Sequence, residues 1–236
     1  VFAVLAGLGL VAVVLTQRQL VETLPVSRRQ PFRIGRIVSV YLSLLRDRLF
    51  MAYSLAVLFS LSGLGAYLAG APFIFIRLLE IPEPVFGMFS IANVGSFAVG
   101  SAIASRFTGK AFTMQAMIVI GGAMNALGGG LLLLLILAGE LSVVTIMGPT
   151  VVFFVGMGIL VPNAMAAAIN RYPDHAGLAS AMLGFLQFGG WGGAGLAVGL
   201  LGGEVSLAFA SVFAFVGLAT PVTYVLLGGW PEKFRP

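Results

Sequence analysis

The chain has 236 residues, of which 59% are hydrophobic and 9% are charged, and its mean hydropathy is +1.07. A soluble domain carries about 25% charged residues, so this chain lacks the polar surface that water requires, and we expect lipid to surround it. The formal net charge of +5 comes from basic residues between apolar runs, which favours contact with anionic lipid over nucleic acid; the absence of cysteine excludes disulfides and thiolate metal sites.

The first 48 residues predict the end of one membrane helix and a basic loop. Residues 1–16 are apolar and uncharged, without an initiator Met or a basic region before them, so we expect a fragment that begins within a transmembrane helix. Residues 17–48 follow as a loop that contains seven arginines, namely Arg18, Arg28, Arg29, Arg33, Arg36, Arg46 and Arg48. Positive charge beside a span resists translocation, so this loop is predicted to be cytoplasmic.

An amphipathic helix is predicted in the second part of the basic loop. Its apolar residues fall at helical spacing, with arginines on the other side: Ile34, Ile37, Tyr41, Leu44 and Leu45. Such a helix lies at the level of the lipid headgroups. A plain solvated loop remains the alternative.

Residues 49–230 predict a domain of six complete transmembrane helices, followed by a cytoplasmic tail at 231–236. Each span is a continuous apolar run of about 20 residues or more, which indicates helix rather than the alternating strands of a barrel. The predicted spans are 49–70, 84–105, 111–138, 143–169, 176–201 and 206–229. The predicted fold class is therefore all-α, a polytopic membrane helix bundle of six complete spans plus the tail of one more.

The distribution of charge supports this span count. When loops alternate in sidedness, every basic residue except Arg77 falls on the side of the arginine loop. Because Lys and Arg near spans stay inside the cell, the prediction is a multi-pass protein with its basic loops in the cytoplasm.

The predicted spans contain no Asp, Glu, Lys, Arg or His, so catalytic chemistry at depth is not expected. We predict no enzyme, no metal site and no cofactor, and no Gly-Lys-Ser/Thr phosphate loop is present. The single histidine, His175, falls in a loop, where Asp174 is predicted to cap the fifth span.

Neutral polar and aromatic residues in the spans are the candidates for substrate binding. Rings and soft side chains with a few hydrogen-bonding groups suit a pocket for moderately apolar organic molecules. The predicted substrate-binding residues are Tyr53, Tyr67, Asn93, Phe153, Phe154, Met157 and Gln187. For each of them, helix packing or an interhelical hydrogen bond is the alternative.

Four stretches of the sequence stand out: ETLP at 22–25, YLAGAPFIF at 67–75, PNAMA at 162–166 and AGLASAMLGFLQ at 176–187. Together they resemble the carboxyl-terminal half of a major facilitator superfamily transporter, and most of all the Bcr/CflA-type drug:proton antiporters of bacteria. The resemblance implies twelve spans in two six-helix halves that the basic loop connects. It also implies that substrate is held between the halves and moved by alternating access.

The same resemblance implies a function and a gating turn. It implies proton-coupled efflux of small, largely hydrophobic drugs across a bacterial inner membrane, with the proton-binding residues in the missing amino-terminal half. Residues 105–110, SRFTGK, resemble a degenerate form of a basic superfamily motif, which makes Arg106, Gly109 and Lys110 gating candidates, with simple charge anchoring as the alternative. An uptake or sugar-type facilitator, or a non-transporting membrane module, remains an alternative function.

Overall fold

The computed structural model describes residues 2–19, 34–201 and 203–228. These residues form α1 (Phe2–Gln19), α2 (Ile34–Arg46), α3 (Arg48–Pro72), α4 (Glu83–Phe107), α5 (Met114–Leu137), α6 (Val143–Asn170), α7 (Ala176–Leu200) and α8 (Val205–Gly228). All of these except α2 are long and apolar enough to cross a membrane, so the predicted all-α polytopic bundle is confirmed. The predicted loop residues Arg28, Arg29 and Arg33 and the predicted tail at 231–236 lie outside the described residues.

The chain divides into two units, Val1–Ile37 and Val38–Pro236. In the first unit, α1 is an apolar helix of 18 residues that ends with a basic turn at Arg18. The second unit contains α3 to α8, and its core includes a set of fully buried aromatic side chains. All candidate site residues belong to this second unit.

Helix α2 lies in the part of the basic loop where the sequence predicts an amphipathic helix. Its Val40 and Leu44 side chains are buried in the core of the second unit, while Leu42 and Leu45 are exposed. Two apolar faces on one short helix fit an element that packs on protein on one side and meets lipid on another. Its location at the membrane surface stays a prediction.

Helix α3 runs further than the sequence predicts. The predicted span ends at residue 70, but α3 includes Pro72 and the chain continues into a π-helical segment, Phe73–Leu78, which contains Arg77. Pro72 cannot donate a backbone hydrogen bond, and the wider turn that follows pairs the N–H of Leu79 with the carbonyl of Ile74 at 2.9 Å. Proline here changes the type of helix instead of ending it.

The six helices of the second unit pack with α3 and α6 at the centre. Helix α3 contacts α6, α7 and α8, whereas α5 lies between α6 and α8. The two remaining spans are arms: α4 packs along α6, and α7 packs along α3. Only three residues of α4 and five of α7 are buried among the described residues, compared with 15 in α3 and 14 in α6.

Helices α4 and α6 approach each other through glycine. A Cβ atom added at Gly100 would lie 3.0 Å from the Cα of Gly158, and the Ser101 hydroxyl donates to the Gly158 carbonyl at 3.3 Å. Small residues allow this backbone contact where lipid provides no hydrophobic drive for helices to associate. The crossing therefore depends on both glycines.

Short polar side chains cap the helices at their starts. Asp47 caps α3, Thr113 caps α5, and Ser142 forms a capping box with Thr145 at the start of α6. The predicted cap at Asp174 is wrong: this residue lies within a 3₁₀ turn, Pro173–His175, and His175 occupies the cap position of α7. A turn inserted before the helix moves the cap one residue along the chain.

Candidate substrate site

A polar contact region lies where α3, α4 and α6 meet, and it contains three of the seven predicted residues. Tyr67 of α3 stacks edge-on against Phe154 of α6, with the ring centroids 5.7 Å apart. Asn93 of α4 points its amide nitrogen at the Met147 sulfur of α6, 4.0 Å away. Tyr67 and Asn93 are 2% and 1% exposed, so this region is closed to solvent in the structure.

Two polar atoms of this region lack hydrogen bonds. The Tyr67 hydroxyl lies close enough to the side chains of Ser90 and Asn93 to interact with them. Neither the Tyr67 hydroxyl nor the Asn93 amide oxygen, however, reaches hydrogen-bond geometry with a partner among the described residues. Buried polar groups are nearly always paired, so these two atoms are exceptional within the described bundle.

Phe153, Met157 and Tyr53 lie deeper in the bundle. The Phe153 ring is 4.3 Å from that of Phe213 in α8, and Tyr53 packs against Tyr224 at 5.8 Å. All three residues are 3% exposed or less. The structure therefore brings them into the core of the six-helix unit, and their contact with substrate stays a prediction.

A hydrogen-bond chain crosses the bundle beside Phe153. The Asn125 amide nitrogen donates to the Phe153 carbonyl at 2.9 Å, and the Ser60 hydroxyl donates to the Asn125 amide oxygen at 3.1 Å. This chain joins α3, α5 and α6 in a dry interior, where each group satisfies another. Both the oxygen and the nitrogen of the Asn125 amide are thus paired, whereas only the nitrogen of the Asn93 amide has a partner.

Gln187 lies apart from these residues, on arm α7. It is half-buried, one helical turn before Trp191, whose ring stacks edge-on against Phe188 at 5.6 Å. The Trp191 indole N–H is buried and has no acceptor among the described residues. The prediction for Gln187 remains open.

The gating candidates form the turn between α4 and α5. Gly109 has φ +76°, a left-handed conformation that favours glycine, and its N–H donates to the Phe112 carbonyl at 2.8 Å. Arg106 and Lys110 are exposed on either side of it. The Thr108 hydroxyl donates to the Asn163 amide oxygen at 3.0 Å, which ties the turn to α6. The gating role itself stays a prediction.

Shallow grooves occur elsewhere on the unit. One of about 380 Å³ lies between α3, α7 and α8, with an apolar lining that includes Phe59, Ala194 and Phe215. None of the seven predicted residues lines it. The predicted residues are thus part of packed helix contacts and not of this open groove.

Comparison with curated proteins decides the family. The chain is 33% identical over 187 residues to the uncharacterized MFS-type transporter YdgK of Bacillus subtilis, 31% over 189 residues to the bicyclomycin resistance protein homolog of Haemophilus influenzae, and 27% over 170 residues to multidrug resistance protein D of Escherichia coli. These alignments cover 79%, 80% and 72% of this chain. The chain belongs to the major facilitator superfamily. No protein-family model matches it.

The alignments cover 46%, 47% and 41% of the three relatives, so the chain spans about half the length of the curated superfamily proteins that it matches. Its apolar helices and these relatives make it a multi-pass membrane protein. The resemblance to Bcr/CflA-type proteins that the sequence motifs suggest is confirmed by relatives named for bicyclomycin and multidrug resistance.

One cluster of this superfamily member was missed by the sequence analysis. The Asp47 carboxylate accepts hydrogen bonds from the backbone N–H groups of Leu49 and Phe50, from the Arg171 guanidinium at 2.8 Å and 3.0 Å, and from the Tyr172 hydroxyl at 2.9 Å. Asp47 could have been recognised as a cap because it directly precedes an apolar helix. Nothing in the local sequence indicates that Arg171 and Tyr172, in the α6–α7 loop, are its partners.

The environment of Asp47 changes its ionisation. Burial alone would raise the pKa of the carboxyl, but hydrogen bonds from Arg171, Tyr172, Phe50 and Leu49 together hold the pKa below its ordinary value of 3.8. Burial and then the neighbouring Asp47 raise the pKa of Tyr172, so its hydroxyl remains a donor at neutral pH. The charged form of Asp47 is therefore the one that the fold stabilises.

Replacing Asp47 by alanine is expected to lower the free energy of unfolding by about 2 kcal/mol, through loss of the cap and of the Tyr172 bond. The Arg171 side chain is 39% exposed, so the ion pair adds little. Thermal unfolding in detergent, followed by tryptophan fluorescence, measures the loss. The matched control is Asp174→Ala, an exposed acid that should leave the transition unchanged; equal transitions for both variants would contradict the assignment.

The same carboxylate predicts an acid-dependent loss of stability. Because the pKa is lowered in the folded protein, the stabilisation is complete above about pH 4 and is lost as the pH falls through the lower, folded value. The Asp47→Ala protein should lack this part of the pH dependence. An identical acid response in the two proteins would mean that other carboxyl groups account for it.

Proposed function

We propose that this chain is the carboxyl-terminal half of a proton-coupled exporter of small, largely hydrophobic molecules. Its relatives include proteins named for drug resistance, and it matches about half of each. The observation that carries the proposal is the pair of weakly buried arms, α4 and α7, on either side of the central helices.

The arms offer surfaces suited to another set of helices. Gly87 and Gly95 of α4, and Gly184, Gly189 and Gly192 of α7, have nothing within 4 Å of a Cβ position in the described part of the chain. Glycines on a membrane helix are typical of close packing against another helix, whereas a helix face that only contacts lipid does not require them. A second six-helix half that packs on both arms would enclose a space beside α3 and α6.

The uncharged interior of this chain supports different roles for the two halves of the transporter, proton binding in one and substrate contact in the other. The charged residues of α4 to α6 lie at or beyond the helix ends, as with Glu83 and Arg106, while the middle offers hydroxyl, amide and aromatic groups. Buried ionisable groups are what a proton relay requires. We therefore assign the proton-binding residues to the other half and part of the substrate cavity to this one. The orientation that we propose places the basic ends of the spans in the cytoplasm of a bacterial cell, in its inner membrane.

Drug uptake into inverted membrane vesicles that contain the full-length protein tests the proposal. With bicyclomycin as the first compound, an exporter coupled to protons should accumulate the drug only when the vesicle interior is acidic, and nigericin should abolish the accumulation because it collapses the pH gradient. Vesicles without the protein are the control. Substrate-dependent alkalinisation of the vesicle interior gives an independent readout of antiport.

Other outcomes separate the alternatives. An uptake or sugar-type facilitator would equilibrate its substrate without a pH gradient, and it would transport a sugar rather than bicyclomycin or related drugs. A non-transporting membrane module would show no flux of any compound. Either result would overturn the export proposal.

The arms can be tested by a matched pair of glycine substitutions. Gly192→Leu on α7 adds a side chain to the proposed interface, whereas Gly130→Leu on α5 adds it to a position with equally open surroundings. We expect Gly192→Leu to reduce drug transport at least tenfold, a change of about 1.4 kcal/mol, because the two halves can no longer close, and Gly130→Leu to retain it. Equal activity of the two variants would argue against α7 as an interface.

A further inference from the structure

The unpaired atoms between α3 and α4 form an incomplete hydrogen-bonding site. The Tyr67 hydroxyl and the Asn93 amide oxygen belong to side chains that are 98% and 99% buried, and neither has a partner among the described residues. The hydroxyl lies near the side chains of Asn93 and Ser90 but does not meet hydrogen-bond geometry with either. Leaving such groups dry and unpaired is unfavourable, so a structure that keeps both is expected to use them.

The surroundings define the chemistry that this site can accept. Phe154 contributes a ring edge beside Tyr67, and Met147 contributes a sulfur beside the Asn93 nitrogen. The charged residues of α4, Glu83 and Arg106, lie at its two ends, many residues from Asn93. A cation or an anion would lose its hydration here without a counter-charge, which is unfavourable in a membrane interior.

From this geometry we propose that Tyr67 and Asn93 bind a hydroxyl or amide group of an uncharged, otherwise apolar substrate. The substrate group donates a hydrogen bond to the Asn93 amide oxygen and accepts one from the Tyr67 hydroxyl, while Phe154 and Met147 contact its apolar part. This inference rests on the proposed transport function, and it narrows the substrates to neutral molecules with a combined donor and acceptor.

The packing of the helices provides a way to open the site. Helix α4 packs along α6 and contacts the π-helical segment Phe73–Leu78, whereas α3 and α4 lack an extended backbone contact in the described residues. The π-helical segment is joined to α4 through the ring of Phe75, whose centroid lies 5.6 Å from that of Phe86 and 5.3 Å from that of Phe89. A movement of the first half of α4 away from α3 would expose Tyr67 and Asn93, and it would separate the Phe75 ring from Phe86 and Phe89.

The stability of the substrate-free protein gives the first test. In purified full-length protein, Tyr67→Phe and Asn93→Leu should leave the thermal transition unchanged or raise it, because each removes a polar atom that has no partner. Asn125→Leu is the matched control: Asn125 is equally buried but bonded to Phe153 and Ser60, so this change should lower the transition by several degrees.

Transport of two probes gives the second test. Chloramphenicol is neutral and carries hydroxyl and amide groups, whereas tetraphenylphosphonium is a lipophilic cation without hydrogen-bonding groups. In proteoliposomes, Tyr67→Phe and Asn93→Leu should each raise the KM for chloramphenicol about tenfold, the equivalent of one lost hydrogen bond. The double variant should lose less than the product of the two effects, because both side chains bind the same group. Any transport of tetraphenylphosphonium should be the same in all variants.

The other possible results contradict the proposed site, the neutral substrate class or the transport function, and they can be told apart. If both variants transport chloramphenicol as the wild-type protein does, the proposed binding site is wrong, but the proposed transport function still stands. Transport of tetraphenylphosphonium but not of chloramphenicol would overturn the neutral substrate class. A lower thermal transition in Tyr67→Phe with an unchanged KM would show that water, or a direct bond between the two side chains, fills the site. Absence of transport of every drug in the wild-type protein would overturn the proposed function, and this inference with it.

Discussion

Replacing Phe153 by alanine is expected to lower the free energy of unfolding by about 3 kcal/mol or more, the largest loss that we predict for a single side chain. Phe153 is fully buried, and its ring lies 4.3 Å from that of Phe213 and 6.3 Å from that of Phe154. A Cβ at Gly63 or at Gly217 would also meet this ring, so the surrounding helices are shaped to hold it.

The size of this effect depends on packing more than on water. In a bilayer, the alternative surroundings of an apolar side chain are themselves apolar, so the loss comes chiefly from dispersion contacts and from the cavity left behind. Thermal unfolding and the yield of folded protein in detergent measure it. The matched control is Phe215→Ala, since Phe215 is 63% exposed and contacts the edge of Phe59. A loss no larger than that of the control would show that Phe153 is not part of the core.

Replacing Gly158 by leucine is expected to separate α4 from α6 and to prevent folding of the second unit. A Cβ at Gly158 would lie 2.9 Å from the Ser101 backbone nitrogen and 3.0 Å from the Cα of Gly100, and backbone cannot rotate away as a side chain can. Overpacking costs about 1–3 kcal/mol in ordinary cores, and a whole side chain between two backbones should reach the upper end of that range or pass it.

The yield of monodisperse protein after detergent extraction, together with its thermal transition, measures this loss. Gly130→Leu is the matched control, because Gly130 lies on α5, outside the two arms, and its Cβ position has nothing within 4 Å in the described residues. Gly158→Ala should fall between the two. A Gly158→Leu protein as stable as the control would mean that α4 and α6 do not cross at this point.

The spans were predictable because each is a continuous apolar run bounded by polar or turn residues. The largest departure among the described spans is α3, which is predicted to end at residue 70 but continues as π-helix to Leu78. Whether a proline ends or only widens a membrane helix depends on neighbours that supply packing, here Phe86 and Phe89 of α4 around Phe75. That information does not lie in the local sequence.

The candidate site was harder to predict, for a physical reason. In a helix that is apolar on all sides, no periodicity tells which face meets a cavity and which meets another helix. Phe153 and Tyr67 therefore have the same signal in the sequence, although the first fills the core beside Phe213 and the second ends at an unpaired hydroxyl. Asn93 and Asn125 differ in the same way: only the structure shows that the Asn125 amide oxygen is paired and that the Asn93 amide oxygen is not.

The position of α3 at the centre of the bundle has a consequence for how a ribosome and an insertion machinery must make this protein. Helix α3 is the first span of its unit to be synthesised, yet two of its three main neighbours, α7 and α8, are the last. Until those two emerge, the newly inserted α3 has to remain in lipid, or against a chaperone, with its glycine- and serine-lined surface uncovered. A nascent chain stopped before Ala176 is accordingly expected to be a substrate for membrane proteolysis, whereas one that has completed α8 is not.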